Sequence, residues 1–219
     1  MENITWYGHA SFSFIDKVSG QKIYYVDPFS LPKKELEKAD IIFITHAHSD
    51  HLSPGDISLI LKPETIVVAT PDSLETLNIT QEKFPVEPNK SYDIKGFKFE
   101  TVPAYNVVPE KLKFHPKENN WVGYIFNLNG LKIYHAGDTD YIPEMDSFKN
   151  LNLDIAMIPI GGTYVMTPEE AVVAANAISA KTTIPMHYKG LLKEKTAEGE
   201  EIFKKGVTNS EVLILEELK

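Results

Sequence analysis

Ile41-Ile42-Phe43-Ile44-Thr45-His46-Ala47-His48-Ser49-Asp50-His51 decides how this chain is read. The stretch at residues 40–45 is a short, uninterrupted apolar run of the kind that forms a strand buried on both faces. Three histidines and an aspartate then fall within six residues. A helix start follows directly, with Ser53 as cap, Pro54 at the first helical position and Asp56 three residues after the cap. Ile57, Ile60 and Leu61 keep helical spacing. The cluster therefore sits on a loop at the carboxyl end of a strand, where α/β folds place their ligand sites. A lone histidine is most often structural. Four bulky polar groups crowded at a strand end are hard to satisfy together without a metal, and imidazole with carboxylate suits zinc, iron, manganese or nickel.

Outward from this centre, the chain alternates strand-rich stretches with helices. Residues 4–15 and 22–26 read as strands separated by the turn Lys17-Val18-Ser19-Gly20. Residues 64–69 form another strand, closed by Thr70-Pro71. A hairpin is expected in 91–102 around Lys95-Gly96, and a second where Asn129-Gly130 separates 121–128 from 131–135. Residues 154–160 read as a buried strand ending at Gly161-Gly162. Thr167-Pro168-Glu169-Glu170 is a capping box opening a helix to about Ser179. A short strand at 182–186 precedes His187, and a helix near 200–205 and a strand at 211–216 end the chain. No repeat or linker interrupts this order. Residues 103–120 are the least regular segment, and a long loop of that kind is often functional.

Composition narrows the chemistry. The 219 residues suit one domain, 1–219. There is no cysteine, so thiolate ligands, disulfides and a cysteine nucleophile are excluded. The formal net charge is −9 and every basic residue other than histidine is lysine. That balance argues against nucleic acid as a partner, since phosphate binding needs a surplus of cationic side chains. It also removes the bidentate guanidinium clamp. No apolar stretch approaches membrane-spanning length and the start lacks a signal-peptide pattern, so a cytoplasmic location without membrane attachment is expected. The expected partner is a small-molecule substrate, and the sequence leaves room for a homo-oligomer.

The arrangement His46-x-His48-x-Asp50-His51 after a strand resembles the signature of the metallo-β-lactamase superfamily. His135-Ala136-Gly137-Asp138-Thr139 is similar to that family's Gly-Asp-Thr element, and His187 after Ile184-Pro185-Met186 to its last histidine ligand. Trp6-Tyr7-Gly8-His9-Ala10-Ser11-Phe12 and Asp27-Pro28-Phe29 resemble one branch, small prokaryotic hydrolases related to ascorbate-6-phosphate lactonase. The resemblance covers residues 4–187. It implies an α/β fold, the four-layer αββα sandwich, with metals held at one edge between the two sheets. It implies one or two divalent transition-metal ions per chain, zinc first, with nickel, manganese or iron as alternatives.

Carried over by the resemblance, His46 and His48 belong to a first metal position. Asp50, His51 and His187 belong to a second, with Asp138 between them. His9 is expected to point into the pocket as a further ligand. Asp50 could instead orient the attacking water or take its proton. One departure stands out: Pro103-Ala104-Tyr105 leads to Asn106, where the family has a histidine. The next candidate, His115, could bind metal, contact substrate or protonate a leaving group, and it is carried as catalytic together with Asp50. His135 reads as support for the ligands. Gly161-Gly162-Thr163 could present backbone N–H groups to an anion, although a tight turn explains such a stretch more often than not. The implied activity is hydrolysis of a phosphodiester, lactone or related ester by a metal-activated water. An iron-dependent redox enzyme on the same fold and a non-catalytic metal-binding module are the alternatives.

Overall fold

The computed structural model describes residues 3–18, 20 and 22–219. Met1 and Glu2 of the start, and Ser19 of the turn read at 17–20, lie outside the described residues. The chain forms two compact units, Met1–Glu87 with Glu216–Lys219, and Pro88–Leu215. No helix among the described residues is long and apolar enough to cross a membrane.

The first unit is built on a six-stranded sheet. Its strands are β1 (Ile4–Gly8), β2 (Ser11–Asp16), β3 (Lys22–Val26), β4 (Ile41–Phe43), β5 (Ile66–Ala69) and β6 (Glu82–Pro85), side by side in chain order. The pairs β1/β2 and β2/β3 are antiparallel, and β3 through β6 are parallel. Helix α1 (Pro54–Ile60) joins β4 to β5, and α2 (Pro71–Thr76) joins β5 to β6. The register explains the apolar run at 41–44. Ile23, Tyr25, Ile42, Ile44 and Val67 share one core with Ile57 and Ile60 of α1. Tyr24, Val26, Ile41, Phe43, Ile66 and Val68 alternate with them and are also buried. Both faces are covered, so neither alternate residue can be polar.

The second unit carries a seven-stranded sheet. Its strands are β7 (Lys90–Ile94), β8 (Phe97–Pro103), β9 (Val122–Leu128), β10 (Leu131–His135), β11 (Ile155–Pro159), β12 (Thr182–Met186) and β13 (Glu211–Val212). Again an antiparallel meander, β7 to β10, passes into parallel strands, β10 to β13. Helices α3 (Pro168–Ile178), α4 (Lys189–Leu192) and α5 (Thr196–Gly206) accompany the parallel half. The expected hairpins are present, with Asn129 and Gly130 both at positive φ as a tight two-residue turn requires. The capping box is reciprocal: Thr167 accepts from the Glu170 backbone N–H, and Glu170 accepts from that of Thr167.

Several expectations are corrected. Residues 4–15 are two strands, not one, because Gly8 and His9 both take positive φ and turn the chain. His9 therefore lies in a turn, not within a strand. Thr70-Pro71 closes β5 but also opens α2, where proline suits the first helical turn. A 3₁₀ segment at Pro143–Leu151, likewise started by proline, and strand β6 went unanticipated. The strand expected over 211–216 is paired only at Glu211–Val212.

Direction follows from the pairings. In the first unit β1, β3 and β4 run the same way, so the turn at His9, the residue after β3 and the loop after β4 emerge at one sheet edge. In the second unit β8, β10, β11 and β12 share a direction, which brings the segments at 104–106, 136–140, 160–162 and 187–188 to one edge. Every candidate ligand other than His115, which lies in the long loop between β8 and β9, follows the carboxyl end of a strand.

Candidate metal centre

In the first unit the organising group is Asp27, directly after β3. It is fully buried and held at φ 46°. Its Oδ1 accepts from the Thr45 backbone N–H at 2.8 Å. Its Oδ2 accepts from the Thr45 hydroxyl at 2.7 Å and contacts His51 Nδ1 at 2.8 Å. A carboxylate can only accept, so His51 carries its proton on Nδ1 and presents a lone pair at Nε2. The same logic extends one residue further. The Thr45 hydroxyl gives its proton to Asp27, so toward His46 Nδ1, 2.9 Å away, it is the acceptor. His46 is thereby also protonated at Nδ1, with its lone pair at Nε2. One buried carboxylate prepares two imidazoles as metal ligands.

Around these, His46 Nε2 lies 3.1 Å from His48 Nδ1, and the rings of His46 and His51 have centroids 4.0 Å apart. Nitrogens sharing one tetrahedral zinc lie about 3.3–3.4 Å apart, given bonds of ~2.0–2.1 Å. His9 Nε2 reaches Asp50 Oδ2 at 2.9 Å, and His9, Asp50 and His51 each offer a ligand atom within 4.8 Å of the others. His9 is fixed by its own backbone: φ is 51° and its carbonyl accepts from the Trp6 indole N–H at 3.0 Å. Neutral imidazoles with a carboxylate, no thiolate and spacings near a coordination edge fit a divalent transition metal.

In the second unit, Asp138 follows β10 and is 3% exposed. Its Oδ2 lies 3.2 Å from His115 Nε2 and 3.1 Å from His187 Nε2. The Gly-Asp-Thr element is tied to the segment after β8. The Thr139 hydroxyl donates to the Tyr105 carbonyl, Asp140 N–H donates to the same oxygen, and Asp140 Oδ2 accepts from the backbone N–H groups of Val107 and Val108. His187, directly after β12, is fully buried at φ 57°. Its carbonyl lies so close to Gly161 that a Cβ there would stand 2.2 Å from it. Gly161 is thus required by backbone packing against His187, and the turn reading of Gly161-Gly162 accounts for it. Gly161→Ala is expected to cost roughly 1–3 kcal/mol through overpacking, read as a lower urea midpoint at unchanged slope. His135 ends β10 fully buried, and its Nδ1 accepts from the Gly137 N–H at 3.3 Å, supporting the turn that presents Asp138.

Asn106 is 1% exposed and spends its amide on the protein: Nδ2 donates to the carbonyls of Lys111 at 2.9 Å and Tyr164 at 2.8 Å. Beside it Lys117 caps the Tyr105 ring and pairs with Glu144. The hydrogen bond to the Tyr105 hydroxyl, then Glu144, pushes the Lys117 ammonium up from its ordinary value. Sequence reading missed Asp27, Thr45 and this anchoring role of Asn106. The available signal for Asp27 was a solitary carboxylate directly after an apolar strand and before a proline.

Comparison with known proteins agrees with this arrangement. Residues 3–187 match the family model described as the β-lactamase superfamily domain. A UPF0173 metal-dependent hydrolase of Methanoculleus marisnigri is 34% identical over 191 residues, covering 84% of this chain and 80% of that one. One from Thermococcus onnurineus is 32% identical over 228 residues, covering 98% and 96%. The crystal structure of a protein from Parabacteroides distasonis, provisionally described as a metal-dependent hydrolase, superposes with a TM-score of 0.83 at 34% identity, covering 99% of this chain and 93% of that one. With two mixed α/β units whose strand ends carry the signature residues, the chain belongs to the metallo-β-lactamase superfamily, among its metal-dependent hydrolases.

Proposed function

We propose that the protein hydrolyses a small ester-type substrate, a phosphodiester or a lactone, with a metal-activated water. The observation that carries this reading is the setting of His46 and His51 by Asp27. A buried carboxylate that orients two histidines with their Nε2 lone pairs presented has no comparable use in a merely packed core. We assign His9, Asp50 and His51 to the tighter metal position and His46 and His48 to a second. Within the second unit, the family's motif order assigns Asp138 and His187 as metal ligands.

A divalent ion held there would supply Lewis acidity and lower the pKa of a bound water toward neutrality. The chain's own residues do the rest. Asp50, partly exposed and hydrogen-bonded to His9, is placed to orient a water or receive its proton. The fully buried Asp27 holds the imidazoles still through turnover. With 22 lysines, no arginine and a net charge of −9, a free nucleic acid is not the proposed substrate.

The test is metal analysis of protein purified without added metal, together with a screen of phosphodiesters, lactones and thioesters. At least one equivalent of a divalent transition metal is expected. Hydrolysis should vanish in chelator and return with zinc, manganese or nickel. Hydrolysis that survives complete metal removal would refute the reading.

A further inference from the structure

We infer that the Tyr164 ring is the surface on which the substrate rests an apolar group, aryl or branched alkyl, beside its scissile bond. This deepens the reading of the protein as a metal-dependent hydrolase of an ester-type substrate and rests on it. Tyr164 stands in the turn that leaves β11. That turn starts at Gly161, which is packed against the His187 carbonyl, so it begins at the ligand-bearing edge of the second unit. Thr163 N–H donates to the Gly161 carbonyl at 3.1 Å, and Gly162 N–H donates to that of Met166 at 2.9 Å. These bonds fold the segment back on itself, with Thr163 and Tyr164 exposed at its tip. A phenol ring left 38% exposed there adds little to the core.

The turn is held by its main chain. Two buried side chains of the loop after β8 cross to it: Asn106 Nδ2 donates to the Tyr164 carbonyl at 2.8 Å, and Lys111 Nζ donates to the Val165 carbonyl at 2.8 Å. Lys111 is anchored in turn by Glu170 at 2.7 Å. Every residue type carries a carbonyl, so these crosslinks set the shape of the turn whatever side chain stands at position 164. The ring itself is braced. Phe114 meets it edge-on with centroids 4.8 Å apart, and Lys113 Nζ sits 5.0 Å over the Phe114 ring. Phe114 directly precedes His115, whose Nε2 lies 3.2 Å from Asp138 Oδ2, so the brace is continuous with the candidate metal centre. Val107 and Leu112 of the same loop are exposed as well. Large apolar side chains exposed on two crosslinked segments at a ligand-bearing edge mark a binding surface, whereas single ones scattered over a protein need no explanation. The occupant is the substrate, because a scissile group held at that edge brings its own substituent to this ring, and an aromatic ring offers a large, rigid contact area.

The test is binding of methyl-, benzyl- and phenylpropylphosphonate to the zinc-loaded protein by calorimetry, with NMR to detect contact. The probes carry the same anionic head and differ only in the apolar group. At least one phenyl probe should bind about 10-fold tighter than methylphosphonate, the gain expected for burying part of one ring. Its ring protons should show nuclear Overhauser effects to those of Tyr164. Tyr164→Ser should cut that gain to about 2-fold or less and leave methylphosphonate binding unchanged, while Tyr164→Phe should keep the gain. A ring with only a structural role would shift all three probes alike. Zinc-dependent binding of the three probes with equal affinity, or a phenyl gain that survives Tyr164→Ser, would overturn the inference and leave the metal-site reading standing. Phosphonate binding indifferent to zinc would overturn both.

Discussion

Asp27→Asn is expected to weaken zinc binding by about 10–100-fold, the usual range for a residue that orients a metal ligand, and to depress hydrolysis with it. The reason is that the carboxylate of Asp27 only accepts in its hydrogen bonds, while the backbone N–H of the residue donates to the Phe43 carbonyl. Oδ1 takes the Thr45 N–H, and Oδ2 takes the Thr45 hydroxyl and His51 Nδ1–H. An amide has one accepting end. With its oxygen toward the Thr45 backbone, its NH₂ faces His51 Nδ1 and forces the proton to Nε2, so the ring can no longer bind metal. Turned over, the NH₂ opposes the Thr45 N–H in a fully buried site, at a cost of ~1–3 kcal/mol for an unsatisfied group. Either orientation does damage, and the two are separable. Equilibrium dialysis against zinc reads the first, and urea unfolding of the metal-free protein reads the second. Zinc affinity equal to the parent's in a stably folded Asp27→Asn protein would show that His51 does not depend on this carboxylate.

What the sequence discloses and what it hides follow from the range of the interactions. The strand–cluster–helix unit at 41–60, the Asn129-Gly130 hairpin and the Thr167 capping box are each set by residues within a few positions of one another, and the structure has them where reading along the chain puts them. The edge strand Glu82–Pro85 opens with two charged residues and is largely exposed, so it lacks the continuous apolar signal of its neighbours. Helix α2 was hidden by a proline that reads as a stop after a strand and acts as a start before a helix. In the metal centre, the ligand types are local to short motifs and so were legible. Their orientation was not. Asp27 acts on a histidine 24 positions later, and Asn106 meets His115 and the Tyr164 carbonyl through a loop closed by its own backbone. Such roles depend on which lone pair meets which proton, and only the fold brings those atoms together. The turn at His9 belongs to the same class, since a positive φ at histidine is uncommon and no residue pattern announces it.

Asp50→Ala and His48→Ala should each reduce hydrolysis by at least ~10³-fold, or about 4 kcal/mol of transition-state stabilisation, with little loss of fold. The two halves of this expectation have separate grounds. Both residues sit on the loop between β4 and α1, and both are part-exposed, whereas the strand before them and the face of α1 after them are buried. Truncating either removes no core contact, and Ser53 still caps the helix by accepting from Asp56 N–H. Stability of the metal-free protein should therefore stay within ~1 kcal/mol, as for surface substitutions away from special features. Activity has no such reserve. Asp50 contacts His9 at 2.9 Å, and His48 Nδ1 stands 3.1 Å from His46 Nε2, so each truncation removes a metal-ligating atom together with one polar contact of a neighbouring imidazole. Asp50→Asn separates its two roles. The amide oxygen is a poorer ligand and the amide cannot accept a proton, so a variant that retains zinc and still loses ~10³-fold in rate would identify Asp50 with proton transfer. Parallel loss of zinc and rate would identify it with binding. Wild-type turnover in both alanine variants would show that hydrolysis does not take place at this loop.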